Sequence, residues 1–442
     1  MLFSFLKYLQ PTHYFQRFTK AGQSIFPKAE ELPTDISDQL QLDDQYLSEV
    51  ARAYDLSWQA IQLGYIGNTA TYQKFEKLPL KDNYRFVRKN FHSAWVFFVF
   101  LLRIILFHNP FKECEAWMST RTINQQKELG DSIVYSEWES FQSQLIEAKP
   151  MVSVIIPTLN RYEYLKAVLK DLETQDYSNF EVIVVDQSDN FNKEFYKDFN
   201  LNFQIINQKE KALWLARNTA IKASKGEWIA LSEDDVRIQP DWIRMHLKCL
   251  DFFSAKISAG VFYPEGQQIP KSRSFFAIGS QFATGNAMLH KTVFNHVGLF
   301  DRQFEKQRMG DGEFGMRLYL EGLKSISNPL ASCIDVKAGT GGLREMGSWD
   351  AFRPSNFFAP RPIPSVLYYF RKYYGNTSAR LALLRTVPIS IFPYQFKKNK
   401  PLILIGLIVT ILILPIVVFQ VSKSWYLSSK KLKQGALIEP LR

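Results

Sequence analysis

Residues 152–186 read VSVIIPTLNRYEYLKAVLKDLETQDYSNFEVIVVD, and the parsing of this stretch decides the fold. Its ends, VSVII and EVIVV, are β-branched runs of strand length bounded by turn residues. Between them Leu165, Val168, Leu169 and Leu172 recur on one helical face. Asn160 stands where an N-cap would, and Glu163 three residues later completes a capping-box spacing. Strand, helix and strand at this separation predict a βαβ unit with parallel strands.

The pattern runs on through a strand FQIIN, a helix ALWLARNTAIKAS, a strand EWIAL, a helix opened by Pro240 and a strand ISAGVF. Directly after EWIAL come Ser232, Glu233, Asp234 and Asp235. Adjacent carboxylates disfavour one another's ionised form, so an acidic corner at a strand end implies a cation for it to meet. Open α/β sheets bind ligands beyond the carboxyl ends of their strands. Thr158, Asp186 and Asp235 all stand at such ends and are expected to converge on one crevice.

The chain has 442 residues, 46% of them hydrophobic and 22% charged, with a formal charge of +11, which is a globular composition and not a disordered one. Its positive excess near the C-terminus suits nucleic acid or an anionic membrane equally, and the neighbouring residues choose between them. PLILIGLIVTILILPIVVFQV, residues 401–421, carries no charge. A helix of about 20 such residues can cross a bilayer, so the predicted partner is a membrane and not nucleic acid. Pro415 would kink the segment and lysines flank it on both sides, which leaves its orientation, and a re-entrant hairpin, open. AWVFFVFLLRIILF, residues 94–107, is shorter and includes Arg103, and reads as an interfacial or core helix. The N-terminus lacks a secretory signal pattern. Three cysteines without metal-type spacing fit a reducing compartment and no disulfide framework.

VSVIIPTLNR, EVIVVDQSD, ALWLARNTAIKASKGEWIALSEDDV, TGNAMLHKTVFNHVGLFDRQF and GDGEFGMRLYLEGLK, in that order, together resemble the family 2 glycosyltransferases. The resemblance covers 152–344 and implies a GT-A fold, a Rossmann-like, mostly parallel sheet flanked by helices. It implies inverting transfer from a nucleotide diphospho-sugar to a hydroxyl acceptor. Glu233, Asp234 and Asp235 match the family's D-x-D element, with Asp235 on Mg2+ or Mn2+ and Glu233 or Asp234 reaching ribose or sugar. Pro157, Thr158 and Asn160 match the first nucleotide-binding loop, although a helix-start hydroxyl also explains Thr158. Asp186 matches the acid that faces the base, with Gln187 where a second Asp is common; an amide can still read a pyrimidine edge. Arg217, with Asn218, matches an ARN element, and steadying the diphosphate or pairing with a carboxylate are both open to it. Gly285 and Asn286 match the strand lining the donor sugar.

On the same resemblance Asp311 falls on the catalytic base, Gly310 on the usual glutamate beside it and Glu313 on the following acid. A helix-start acid is the alternative for Asp311. Lys337 stands near a position where relatives carry a metal-binding histidine, and Gly339–Arg344 could cover the diphosphate.

The expected organisation is a helical N-terminal region (1–150), a GT-A domain (151–345), a basic and aromatic juxtamembrane region (346–400), a hydrophobic membrane segment (401–421) and a basic tail (422–442). Donor nucleotides are cytosolic, so the catalytic domain should face the cytoplasm from a bacterial inner or plasma membrane, where a lipid-linked glycan or surface-polysaccharide precursor is the expected acceptor. Two rivals stand: a membrane-bound carbohydrate-binding or scaffold protein on a decayed transferase domain, kept open by Gly310 and Lys337, and a sugar-phosphate nucleotidyltransferase, whose usual glycine-rich basic loop is replaced here by PTLNRYEYL.

Overall fold

The computed structural model describes residues 1–126, 130–338, 349–392 and 400–441. They form two compact units, one of 1–134 with 373–386 and one of 135–372 with 387–442. The expected boundary near 150 therefore falls at 134. Residues 135–150 belong to the second unit, where the Ser143 hydroxyl and the Leu145 N–H both bond Asp251 (2.7 and 3.0 Å).

In the first unit the main helices are α1 (Glu49–Gln62), α2 (Leu80–Asn90), α3 (Ser93–Ile105) and α4 (Pro110–Ser119). Ser48 caps α1 by accepting the Ala51 N–H, and Asp82 on α2 accepts from Leu47 N and Ser48 N, tying the two helix starts together. Phe3 stacks on Phe86 at 3.8 Å in the core. Arg103, the charge inside the apolar run, pairs with Glu113 and so joins α3 to α4.

The second unit is built on a sheet of β1 (Val152–Thr158), β2 (Phe180–Asp186), β3 (Phe203–Asn207), β4 (Trp228–Ser232), β5 (Val236–Ile238), β6 (Ile257–Pro264), β7 (Ala277–Ile278), β8 (Asn286–His290) and β9 (Ser325–Asp335). The order is β3-β2-β1-β4-β8-β6-β9-β5, with β7 beside β9. β1 to β4 are mutually parallel and β8 runs antiparallel to β4 and β6, so the sheet is mixed. In register, Thr158 pairs with Asp186 and Asp186 with Asn207, which lines up the strand ends at one edge.

Helices α5 (Tyr162–Glu173), α6 (Leu213–Ala223), α7 (Trp242–Phe252) and α8 (Gly310–Leu320) flank it. The face of α5 read from the sequence, Leu165, Val168, Leu169 and Leu172, is buried on the sheet, each side chain contributing roughly 1.5–3 kcal/mol. The capping box is not used. Asn160 lies outside the helix with φ of +54°, and Arg161 holds the N-cap position without a side-chain bond.

Behind β8 the Asn286 amide accepts from Trp242 Nε1 (2.9 Å), meets His246 Nε2 (3.0 Å) and donates to the Ala331 carbonyl (2.8 Å). Burial pushes the His246 imidazole down to about 4. The unfolded chain binds that proton from about 6.5 downward, so stability is full above pH 6.5 and is lost as pH falls toward 4, by about 3 kcal/mol. Urea midpoints at pH 7 and 4.5 should accordingly differ less in His246→Asn than in the wild type. An unchanged difference would remove His246 from the acid limb. His13, in the other unit and also held down to about 4 by burial, adds the same slope to both proteins.

The C-terminal stretch holds a helical run α9 (Pro364–Ile389), interrupted at Gly375 (φ +80°), then α10 (Lys400–Leu412) and α11 (Leu414–Gln434). No single helix among the described residues is long and apolar enough to cross a membrane. Ile405–Leu412 and Leu414–Gln434 meet that standard only together, across a bend of 82°. The kink expected at Pro415 is present as this bend, and 401–421 is not one continuous helix. The break comes at Ile413 because proline is favoured in the first turn of a helix and starts α11. The basic tail is ordered too: Leu299 N donates to the Glu439 carbonyl (2.8 Å) and Leu437 N to Asp301 (2.9 Å).

Candidate active site

At the carboxyl edge of β1 and β4 the acidic corner meets a cation supplied by the chain. Arg161 Nη1 lies 3.2 Å from Asp234 Oδ1 and 3.0 Å from Asp235 Oδ2, and the Thr158 hydroxyl donates to Asp234 Oδ2 at 2.7 Å. Asp235 Oδ2 also accepts from the Ala338 N–H (3.3 Å). Burial pushes the Asp234 carboxyl up to about 6, with Arg161 pulling against it and Asp235 adding to the rise. Asp235 is raised as well, by burial first and by the Glu233 charge second. Arg161 stands inside the PTLNR motif, yet the sequence reading gave it no role. A basic residue three positions past the strand-end Thr158, in a domain with three consecutive acids at another strand end, was the signal.

Glu233 turns away from that pair. Its carboxylate lies 3.7 Å from Arg217 Nη2 and packs on Gly285, where a Cβ would come within 2.7 Å of the Glu233 carboxyl carbon. Gly285 therefore makes room for Glu233. Arg217 is fully buried, donates to the Thr284 carbonyl and stands beside the Glu233 carboxylate.

Several expected ligand contacts turn inward. Asp186 has no exposure and accepts from Tyr162 OH (2.6 Å), Tyr196 OH (2.8 Å) and Ser188 N (2.9 Å), so its oxygens shape the loop after β2 and do not face a base. Asn160 exchanges two bonds with Asp189 across the same loop. Asn286 is committed to the network behind β8. Glu313, also unexposed, is bound by Arg317 Nε (3.0 Å) and Lys372 Nζ (3.0 Å), anchoring α8 to α9. Pro157 lies within β1, paired with Val185. Gln187 is different. Its Oε1 accepts from the Ala212 N–H (2.7 Å) and Gln208 (3.1 Å), which fixes the amide's orientation, and its buried Nε2 has no partner among the described residues.

Asp311 joins the same end of the fold through α6. Gly310, just before it, packs on the Trp214 indole so closely that a Cβ would collide with the ring. One helical turn further along α6, Arg217 holds Glu233. The first turns of α6 thus carry both the acidic corner and the start of α8, and Glu305 fixes them by accepting from Trp214 N and Leu215 N. Asp311 Oδ1 accepts from Gly312 N (2.8 Å), and its other oxygen has no partner among the described residues. Trp214 also explains the missing family acid at 310. Gly310→Glu should not add function. It should lower stability by about 1–3 kcal/mol through overpacking, seen as a fall in Tm, and a stable variant would contradict the contact.

Whether Mg2+ or Mn2+ fits is decided by the donor set. Among the described residues no three His, Cys, Asp or Glu side chains are grouped to hold a metal. Such ions take one or two carboxylates when substrate phosphates complete the shell. Asp234 and Asp235, which already share a cation, offer that much and fit the ion together with a diphosphate. Lys337 sits at φ +55° with its N–H on Asp335, and Gly339–Arg344 lies outside the described residues.

Residues 153–305 match the family model for glycosyl transferase family 2, a match that ends before Asp311. Glycosyltransferase GlyA of Streptococcus pneumoniae serotype 4 is 28% identical over 162 residues, covering 36% of this chain and 22% of GlyA. The UDP-Glc:alpha-D-GlcNAc-diphosphoundecaprenol beta-1,3-glucosyltransferase WfgD of Escherichia coli is 32% identical over 93 residues, 20% of this chain and 36% of WfgD. The chain spans well under half the length of either. Among solved structures, the mannosyltransferase PcManGT from Pyrobaculum calidifontis, in complex with GDP-Man and Mn2+, aligns with TM-score 0.44 and 16% identity over 67% of this chain and 91% of its own. Residues 153–305, which hold the parallel β3-β2-β1-β4 half-sheet and its acid-bearing strand end, are a glycosyl transferase family 2 domain.

Proposed function

We propose that the protein is an inverting glycosyltransferase that moves a sugar from a nucleotide diphospho-sugar to a hydroxyl acceptor. The observation that carries this reading is the attachment of the acidic corner and Asp311 to the first turns of α6. Asp311 takes the acceptor's proton as the acceptor oxygen bonds the anomeric carbon; the bond from that carbon to phosphate oxygen breaks, and the nucleoside diphosphate leaves with the electron pair. One base with no second carboxylate as nucleophile implies a single displacement and inversion. Asp235, with Asp234, would hold Mg2+ or Mn2+ against the diphosphate, where its charge offsets that of the leaving group. Arg161 moves off Asp235 toward the phosphates in that state. The Gln187 Nε2 donor, unmatched within the chain, would serve a base carbonyl.

The acceptor is lipid-linked in this reading, supported by the exposed apolar helix pair and by the lipid-linked acceptor in the name of WfgD. The site then works at the cytoplasmic face of a membrane, where donors are supplied. The rival carbohydrate-binding reading draws on Arg161, since a guanidinium closed on the acids is what a retired site would show. A panel of nucleotide sugars with Mn2+ decides: one donor should release nucleoside diphosphate, whereas binding without release from every donor would favour the rival.

A further inference from the structure

Outside the acidic cleft, one buried cation lacks a counter-charge among the described residues. Arg361 is 6% exposed. Its Nε donates to Gln420 Oε1 (3.2 Å) and its Nη1 to the Ser390 hydroxyl (3.3 Å) and carbonyl (3.4 Å), all neutral partners. Nη2 has no partner among the described residues. The charge acting on it is another guanidinium, Arg353, and burial with that neighbour pulls the Arg361 guanidinium down to about 10. A buried charge without an opposite one is costly, so an anionic ligand would supply here what the neighbouring side chains do not.

Its surroundings indicate the ligand. Gln420 lies on α11, the second helix of the bent apolar pair, and its amide also donates to the Phe357 carbonyl (2.9 Å). Lys423, one turn on, donates to the Phe358 carbonyl (2.9 Å). Phe358, 65% exposed, meets the exposed Phe419 ring, and Leu412 at the bend is 76% exposed. From 349 to 442 the sequence has 14 Lys and Arg against two acids, Asp350 and Glu439. Apolar side chains open to solvent, beside a buried guanidinium held by neutral partners alone, match the boundary of a bilayer, where phosphate lies just above hydrocarbon.

We propose that Arg361, with Arg353 and Lys423, binds the phosphate group of a membrane lipid beside Gln420 on α11. The proposal rests on the membrane-facing acceptor in the function above and adds the residues that take hold of the lipid. A phosphate there accepts from the guanidinium while its chain lies along Leu412, Phe358 and Phe419. A free phosphate offers the first contact without the second.

The test uses the full chain with phosphatidylcholine vesicles, plain or doped with phosphatidic acid. Doping should strengthen binding. Arg361→Gln, which keeps donors for Gln420 and Ser390, should lose that increment by about tenfold or more, one charge-assisted contact's worth, while Arg361→Lys retains most of it. Equal binding by wild type and Arg361→Gln would overturn the proposal, and so would loss of the increment to millimolar inorganic phosphate, which would assign the site to a soluble anion. Without lipid, Arg361→Gln should melt at or above the wild-type Tm because it removes an uncompensated charge; a marked fall, or an equal fall in Asp350→Asn, would show an internal structural ion pair and overturn it. Nucleoside diphosphate release in lipid-free detergent, measured on the same proteins, depends on the acidic cleft alone. Its absence sinks the transferase reading and leaves the vesicle result to stand or fall separately.

Discussion

Asp311→Asn is expected to lower donor turnover by about two to four orders of magnitude, the usual contribution of a positioned general base, while the affinity for nucleoside diphosphate changes little. Donor hydrolysis serves as the readout, because water needs the same base as a sugar hydroxyl. The substitution is conservative where it matters for folding. Asp311 Oδ1 accepts the Gly312 N–H in the first turn of α8, and an asparagine oxygen does the same. What disappears is the proton-accepting power of the other oxygen. A change confined to the chemical step lowers kcat and kcat/KM together and leaves binding alone. If Asp311 were only a helix-start acid, Asn would be nearly as good there, and turnover would stay within about twofold. The family match stops at residue 305, so this experiment tests Asp311 on this chain's own structure.

The fold was legible where periodicity carries it. β1, α5 and β2 stand where the β-branched runs and the apolar face of 165–172 placed them, because burial on a sheet demands that pattern whatever surrounds it. The acidic corner was legible for the same reason, as the end of a strand. Side-chain direction was not. Asp186 is captured by Tyr162 and Tyr196, whose hydroxyls approach only once the loop after β2 has closed. Asn286 follows Gly285 by one residue and so points to the opposite face of its strand, into the network with Trp242 and His246. Asn160 adopts a left-handed conformation and commits its amide to Asp189, and that turn carries Arg161 onto the acids. In the C-terminal helices hydropathy registers how apolar 401–421 is, and Pro415 marks the kink, but neither gives the size of the 82° bend.

Arg161→Ala is expected to make the stability of the α/β unit depend on divalent cation. In the wild type one guanidinium spans Asp234 and Asp235. Removing it leaves both carboxylates in a largely buried corner with, among the described residues, the Thr158 hydroxyl and the Ala338 N–H for company. Breaking a buried pair from one side costs about 3 kcal/mol or more, since the remaining charge has lost its compensation. Protonation relieves part of that cost. Asp234 already holds its proton up to about 6, and without Arg161 it should hold it higher still. The penalty of a raised folded-state carboxyl is full above its folded pKa and fades toward the unfolded value, so raising Asp234 beyond about 6 adds cost only at higher pH, and the loss in Tm relative to the wild type should be large at pH 8 and small at pH 5. Mn2+ or Mg2+ should restore the pH 8 value by taking the guanidinium's place, and EDTA should withdraw it again. In the wild type the same ions should shift Tm little until a nucleoside diphosphate is added, because Arg161 must first leave Asp235. An Arg161→Ala protein as stable as the wild type at pH 8 and indifferent to both ions would show that the corner is not a cation site, and the leaving-group role given to Asp235 would go with it.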